Sequence, residues 1–186
     1  MKILHIITTI NRGGSENHLV ELVSGQRRNK HDVSIIYLKG NGYWSDYLKS
    51  LGVKLYTPDI KRYVNIVAFW KVAQWIGKRQ FDIIHAHMPP AELFARIGLI
   101  LIGNKKTPFI ITKHNDEPFY RGFAHGFLGR WIAKRSKAVI AISDAVKDYV
   151  CRKPLYFPKE KVTRIHYGID AKVFLKTKPK HLATSF

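Results

Sequence analysis

The stretch "KILHIITTINRGGSENHLVELV" (residues 2–23) decides how the chain is read. A short apolar run ends at Thr8 and Thr9, and a loop carrying Gly13 and Gly14 follows. Ser15 and Glu16 then open a helical pattern with Leu19, Leu22 and Val23 on one face. A strand that turns into a helix across adjacent glycines is the first unit of an alternating βα chain. The glycines either make the turn tight or let something bulky approach the backbone. The loop is not G-x-G-x-x-G and lacks the Lys-Ser/Thr of a phosphate-binding loop. Glu16 complements the positive end of the helix, which argues against a tightly held phosphate there.

Working outward, the same alternation continues to residue 174. Apolar runs at 32–38, 53–57, 81–87, 108–114, 138–143 and 161–168 are separated by helical patterns. These helices are predicted at 15–28, 43–51, 64–78, from Pro89 onward, at 120–135 and at 143–151, with Gly52 as the residue that ends the second. Apolar runs that do not alternate, divided by helix-length spacers, predict a doubly wound, Rossmann-like parallel sheet with helices on both faces. Residues 175–186, "LKTKPKHLATSF", are polar and basic without periodicity and are expected to form a tail.

The 46% apolar and 12% aromatic content is that of a globular chain, not of a disordered polycation. A single cysteine, Cys151, excludes an internal disulfide framework and fits a reducing compartment. Met1 and Lys2 lead straight into a strand with no signal-peptide pattern, and the longest apolar stretch (97–103) is far too short to span a membrane. The expected location is cytoplasmic, with peripheral contact to the cytoplasmic membrane face. Thirty-two Lys and Arg against 13 Asp and Glu give a net charge of +19. From Arg121 onward there are 15 basic and 4 acidic residues, a balance of +11. Such a surface favours polyanions: an anionic membrane, nucleic acid or phosphorylated substrates.

Ligands of such sheets bind at the carboxyl ends of the strands, where the strand order reverses. The fourth strand ends "HAHMPP", so His85 and His87 share one face, with His87 nearer the crevice. Two histidines could ligate a metal, but no carboxylate or cysteine nearby completes a set. One buried and one crevice-lining histidine is the expected arrangement, with no metal and no cofactor. The fifth strand ends "TKHNDEPF", placing His114 before Asn115, Asp116 and Glu117. A histidine beside carboxylates can bind by hydrogen bonds or work as an acid or base near neutral pH. In the helix at 120–135, Phe123, Phe127 and Trp131 recur at helical spacing and are expected in the core, while Gly122, Gly126 and Gly129 weaken the helix on its own.

Five stretches in order, "HIITTINRGGSENHLVELV" (5–23), "DIIHAHMPPAELFARI" (82–97), "IITKHNDEPF" (110–119), "VIAISDAVKDYV" (139–150) and "VTRIHYGIDAKVF" (162–174), resemble the N-terminal domain of retaining glycosyltransferases of the GT-B fold, of the family 4 type. The resemblance covers residues 1–174 and implies the acceptor-binding half of a two-domain enzyme. It implies that the Gly13-Gly14 loop lines the cleft and that Glu16 fills the acidic position after the glycines. It further implies that His87 lines the cleft and that His114 positions the donor sugar and stabilises developing charge. Asn115, Glu117, Ser143 and Tyr167, within the matched stretches, complete the expected substrate contacts. The implied partners are a sugar acceptor, including a lipid-linked one, and a nucleotide sugar held only together with a C-terminal domain. The family's C-terminal domain supplies the Lys and Arg of the diphosphate site and an E-x7-E element, neither of which these residues contain. The expected function is therefore an acceptor-binding half, inactive alone. A non-catalytic basic module for anionic membrane or nucleic acid is the rival, although no nucleic-acid-binding signature is present. A sugar-nucleotide epimerase relative is disfavoured by the order of the motifs.

Overall fold

Each apolar run becomes a strand and each spacer a helix. The elements are β1 (Lys2–Ile7), α1 (Gly14–Arg28), β2 (Asp32–Tyr37), α2 (Ser45–Ser50), β3 (Lys54–Tyr56), α3 (Ile66–Gly77), β4 (Ile83–His87), α4 (Pro89–Leu101), β5 (Phe109–Lys113), α5 (Gly122–Arg135), β6 (Ala138–Ala141), α6 (Asp144–Cys151) and β7 (Val162–Arg164). The computed structural model describes residues 1–63, 65–115, 122–152, 155 and 157–168, with the backbone alone for 122–125. Glu117, Asp116 and the expected tail lie outside the described residues, as does the side chain of Phe123.

The seven strands form one sheet in the order β3-β2-β1-β4-β5-β6-β7, and every neighbouring pair is parallel. The chain leaves β1 toward β2 on one side and returns to β4 on the other. The order therefore reverses between β1 and β4, and their carboxyl ends frame the crevice. Two apolar clusters cover the two faces. One joins Leu19, Val20 and Val23 of α1 and Leu48 of α2 to Ile7, Val33 and Ile35. The other joins α3, α4, α5 and α6, through Val72, Phe94, Ile132 and Val146, to Leu4, Ile6, Ile84, Ile111 and Val139. On β5 and β6, Phe109, Ile111, Val139 and Ala141 are buried, while Ile110 and Ile140 are half-buried on the α1 side. There a cleft of about 250 Å³ runs between His18, Leu22 and Gln26 of α1 and His85, Ile110, Thr112 and Ile140 of the sheet.

Helix ends follow the expected chemistry. Asn65 caps α3 by accepting from the Ala68 N–H, and Ser143 caps α6 by accepting from the Val146 N–H. Gly52 follows α2 with φ +75°, donating to the Lys49 carbonyl. Met88, ahead of Pro89 at the end of β4, also has positive φ (75°), a strained conformation at the crevice edge.

Helix α5 corrects the sequence reading. Phe127 is 53% exposed and Trp131 half-buried, whereas Gly126 and Gly129 lie on the buried face with Ile132 and Ala133. The glycines are the packing surface rather than a weakness. A Cβ on Gly129 would collide with Leu155 Cδ2 and approach Phe157 to 3.8 Å, and both of those side chains are buried. Trp131 serves as a platform for the Arg96 guanidinium, 4.7 Å from its ring centre. Gly129→Ala should therefore lower the unfolding free energy by about 1–3 kcal/mol through overpacking, despite the better helix propensity of alanine. Urea denaturation checks this; a stabilised variant would contradict the close approach.

Candidate functional site

The crevice is built from the ends of β1, β4, β5 and β7 and the first turns of α1. The glycine loop after β1 resolves the question its sequence raised. Gly13 has extended backbone (φ 179°), and a Cβ there would collide with the Glu16 carboxylate. That carboxylate accepts from the Thr9 hydroxyl and, at 2.8 Å, from the Ser15 hydroxyl. Gly13 thus makes room for Glu16, which complements the start of α1, a helix with no side-chain cap. Gly14 is exposed, and a Cβ there would meet nothing within 4 Å. The backbone is therefore open there.

His114, just past β5, is the centre of the site. Its Nδ1 pairs with the Tyr167 hydroxyl and its Nε2 lies 3.2 Å from His87 Nδ1. The His18 ring stacks on Tyr167, with centroids 3.9 Å apart and planes 13° from parallel, and meets His114 edge-on at 6.1 Å. Of the expected contacts, Glu16, His114 and Tyr167 converge here. His87 does not line the crevice as expected: it is fully buried and touches the site only through His114. Asn115 is exposed beside His114 in sequence, and the Ser143 hydroxyl is engaged as the α6 cap.

Behind His114 lies a histidine cluster that sequence reasoning missed. His5, a polar residue inside the apolar run of β1, pairs in register with His85 on β4. His5 Nδ1 is 3.0 Å from His87 Nε2, and His5 Nε2 is 2.9 Å from Gln26 Oε1 of α1. His85 Nε2 lies 2.6 Å from the Thr112 hydroxyl. His5, His85 and His87 are all buried, so the expected pair of histidines gains a third member, with one ring nitrogen from each lying within 4.8 Å of the others.

Burial disfavours the imidazolium form of each of these groups. Desolvation pushes His5 down to about 4, against a gain from the Gln26 hydrogen bond. It drives His85 and His87 well below the usual histidine range, helped by neighbouring histidines. It pushes His114 down to about 3, with His18 and Lys113 adding to the effect. Burial also raises the Tyr167 phenol, with Glu16 contributing. At neutral pH His114 is thus a neutral hydrogen-bonding group. On the opposite face, Lys113 makes a buried 2.6 Å ion pair with Glu92; burial raises the Glu92 carboxyl and the ammonium opposes it. A larger cavity of about 610 Å³, lined by Gln80, Phe81, Asn104 and Thr107 among others, lies at the amino-terminal edge of the strands, away from this chemistry.

A parallel sheet of this order, with a crevice at the switch point, is a doubly wound, Rossmann-like domain of the kind found in GT-B folds. The family described as Glycosyltransferase Family 4 matches residues 12–173, and the chain belongs to that family. It is 27% identical over 127 residues to the capsular polysaccharide biosynthesis glycosyltransferase CapH of Staphylococcus aureus, which covers 64% of this chain and 33% of CapH. Its fold is similar to that of Anabaena HepE solved in complex with UDP and glucose (TM-score 0.75, 20% identity, 96% of this chain and 47% of HepE). It is equally similar to a glycosyltransferase from Rickettsia africae (TM-score 0.75, 18% identity, 96% of this chain and 46% of that one). The chain spans about half the length of these solved relatives and a third of CapH.

The buried histidines set a pH dependence. Their folded pKa values lie below the unfolded value, so between pH about 6.5 and 4 the unfolded chain binds more protons. Stability is therefore full above pH about 6.5 and falls as the pH drops through that window, by up to roughly 3 kcal/mol for His5 alone. Denaturant unfolding at pH 7.5 and 5 measures it; equal stability at both would contradict the assignment.

Proposed function

We propose that these residues form the acceptor-side half of a sugar-transferring cleft, inactive without a C-terminal nucleotide-sugar half. The observation that carries the reading is the setting of His114: at the carboxyl end of β5 in a family 4 domain, beside the stacked pair of His18 and Tyr167. Among the described residues around His114, the wall offers hydrogen-bonding groups and the Glu16 carboxylate. It suits the hydroxyls of an acceptor or donor sugar and is poorly suited to a diphosphate. Stabilising the departing diphosphate and orienting two substrates are the large terms in such catalysis, and both require the opposite wall. The similarity to CapH supports an acceptor that is a growing saccharide. The 186 residues alone are expected to transfer no radiolabelled sugar, and a matching C-terminal half, added in trans or fused after Phe174, should restore transfer. In the restored enzyme His114→Ala should lower turnover by roughly ten- to a thousandfold. Transfer by the unaided chain would refute the half-enzyme reading, and an indifferent His114→Ala would refute the site.

A second observation favours docking on an anionic membrane, where a lipid-linked acceptor would reside. At the start of α3, Ile66, Val67 and Trp70 are 82%, 63% and 52% exposed, next to exposed Lys61, Arg62 and Lys71. An apolar tip in a basic rim suits the headgroup region, each cation adding about 1 kcal/mol. Among the described residues, no helix is long and apolar enough to cross a membrane. Co-sedimentation with phosphatidylglycerol vesicles should exceed that with neutral vesicles, weaken with salt, and fall several-fold in Trp70→Ser. Equal binding to both vesicles would contradict it, and salt-dependent DNA binding without lipid binding would favour the nucleic-acid module instead.

A further inference from the structure

One continuous hydrogen-bonded chain crosses the molecule from α1 to the crevice. It runs from Gln26 Oε1 to His5 Nε2 (2.9 Å), from His5 Nδ1 to His87 Nε2 (3.0 Å) and from His87 Nδ1 to His114 Nε2 (3.2 Å). It ends from His114 Nδ1 to the Tyr167 hydroxyl. A neutral imidazole has one N–H donor and one bare nitrogen acceptor, so each link constrains the next. The amide oxygen of Gln26 only accepts, and His5 Nε2 must therefore carry the proton. His5 Nδ1 is then bare and receives the N–H of His87 Nε2. His87 Nδ1 is bare in turn and receives the N–H of His114 Nε2. His114 Nδ1 is left bare, accepting the Tyr167 O–H. Reversing any one link would set two N–H groups or two bare nitrogens against each other, at a site where an unmade hydrogen bond is costly.

We propose that Gln26 and His5 are positioning residues that fix the proton on His114 Nε2, making His114 Nδ1 an obligatory acceptor at the crevice. Tyr167 spends its hydroxyl proton on that nitrogen, so its oxygen is left as an acceptor, and the ligand group recognised there is a hydroxyl that donates and not a phosphate or carboxylate oxygen. The assignment of that hydroxyl to a sugar rests on the function proposed above; the proton arrangement does not. His5 is fully buried, and Gln26 joins the chain at the end away from His114. The His5, His85 and His87 group also has the proximity of a metal site, but the His5 and His87 nitrogens that face each other are already paired. With the proton on His87 Nε2, no bare pair is left to share an ion.

Long-range proton–nitrogen spectra of the ¹⁵N-labelled 186-residue chain at pH 7.5 read the tautomer of each ring directly. His5, His87 and His114 are expected as Nε2–H tautomers, and His114 found as Nδ1–H overturns the proposal with no variant needed. Gln26→Leu removes the acceptor and should turn the single His114 tautomer into a mixture, while Gln26→Lys, which only donates, should invert it to Nδ1–H. A merely structural Gln26 would lower the melting temperature in both variants and leave the tautomer unchanged, which contradicts the proposal. Saturating glucose should move the His114 Nδ1 resonance and inorganic phosphate should not; a phosphate response, or none to glucose, overturns the hydroxyl assignment. Stoichiometric zinc chloride should leave the three buried rings unchanged, and a joint shift of His5, His85 and His87 would replace the proton chain with a metal site. The tautomers are read without catalysis, so failure of the transferase assay and failure of this proposal are distinct results.

Discussion

Four imidazoles that straddle the switch point on the α1 side of the sheet, His5, His85, His87 and His114, must all remain uncharged for the sheet to close under α1. A parallel sheet buries both faces where helices cover it, and a charged ring there would lack both water and a counter-ion. The structure meets the constraint by pairing rings with one another and with Gln26, Thr112 and Tyr167. Those partners come from α1, β5 and the segment after β7. The same bonds that keep the rings neutral therefore fix how α1 lies on the sheet and where the crevice wall stands.

The electrostatics of that wall follow. Lys113, the cation nearest His114 in sequence, points to the other face and is tied to Glu92. Glu16 is held by Thr9 and Ser15 at the first turn of α1. Around His114, the described residues thus present neutral hydrogen-bonding groups and the Glu16 carboxylate.

Much of the fold was legible in the sequence because its signals are local. Uninterrupted apolar runs, Gly52 after α2, Pro89 at the start of α4 and Ser143 before α6 each report a physical need within a few residues. His114 was legible because it stands at a strand end, where the switch-point rule places ligands. His5 was not, because one histidine in "KILHII" looks like an isolated core residue until β1 is set beside β4, 80 residues on in the register. Its parity with His85 and His87, each two residues apart on one face, was the available signal. Gly129 was misread for a similar reason: its neighbour Leu155 is distant in sequence, so propensity was visible and packing was not. His87 looked crevice-lining from its place at the strand end and is covered by His114, which only the fold reveals.

The central claim is that the histidine row is neutral in the folded protein, and a histidine titration tests it most directly. The carbon-bound ring-proton resonances of His5, His85, His87 and His114, assigned by single substitution to glutamine, would be followed from pH 8 to 5. The account predicts that none of the four moves appreciably over that range, in keeping with values pushed down to about 4 for His5 and about 3 for His114. A midpoint between about 6 and 7 for any of the buried rings, the range of an unperturbed histidine, would contradict it.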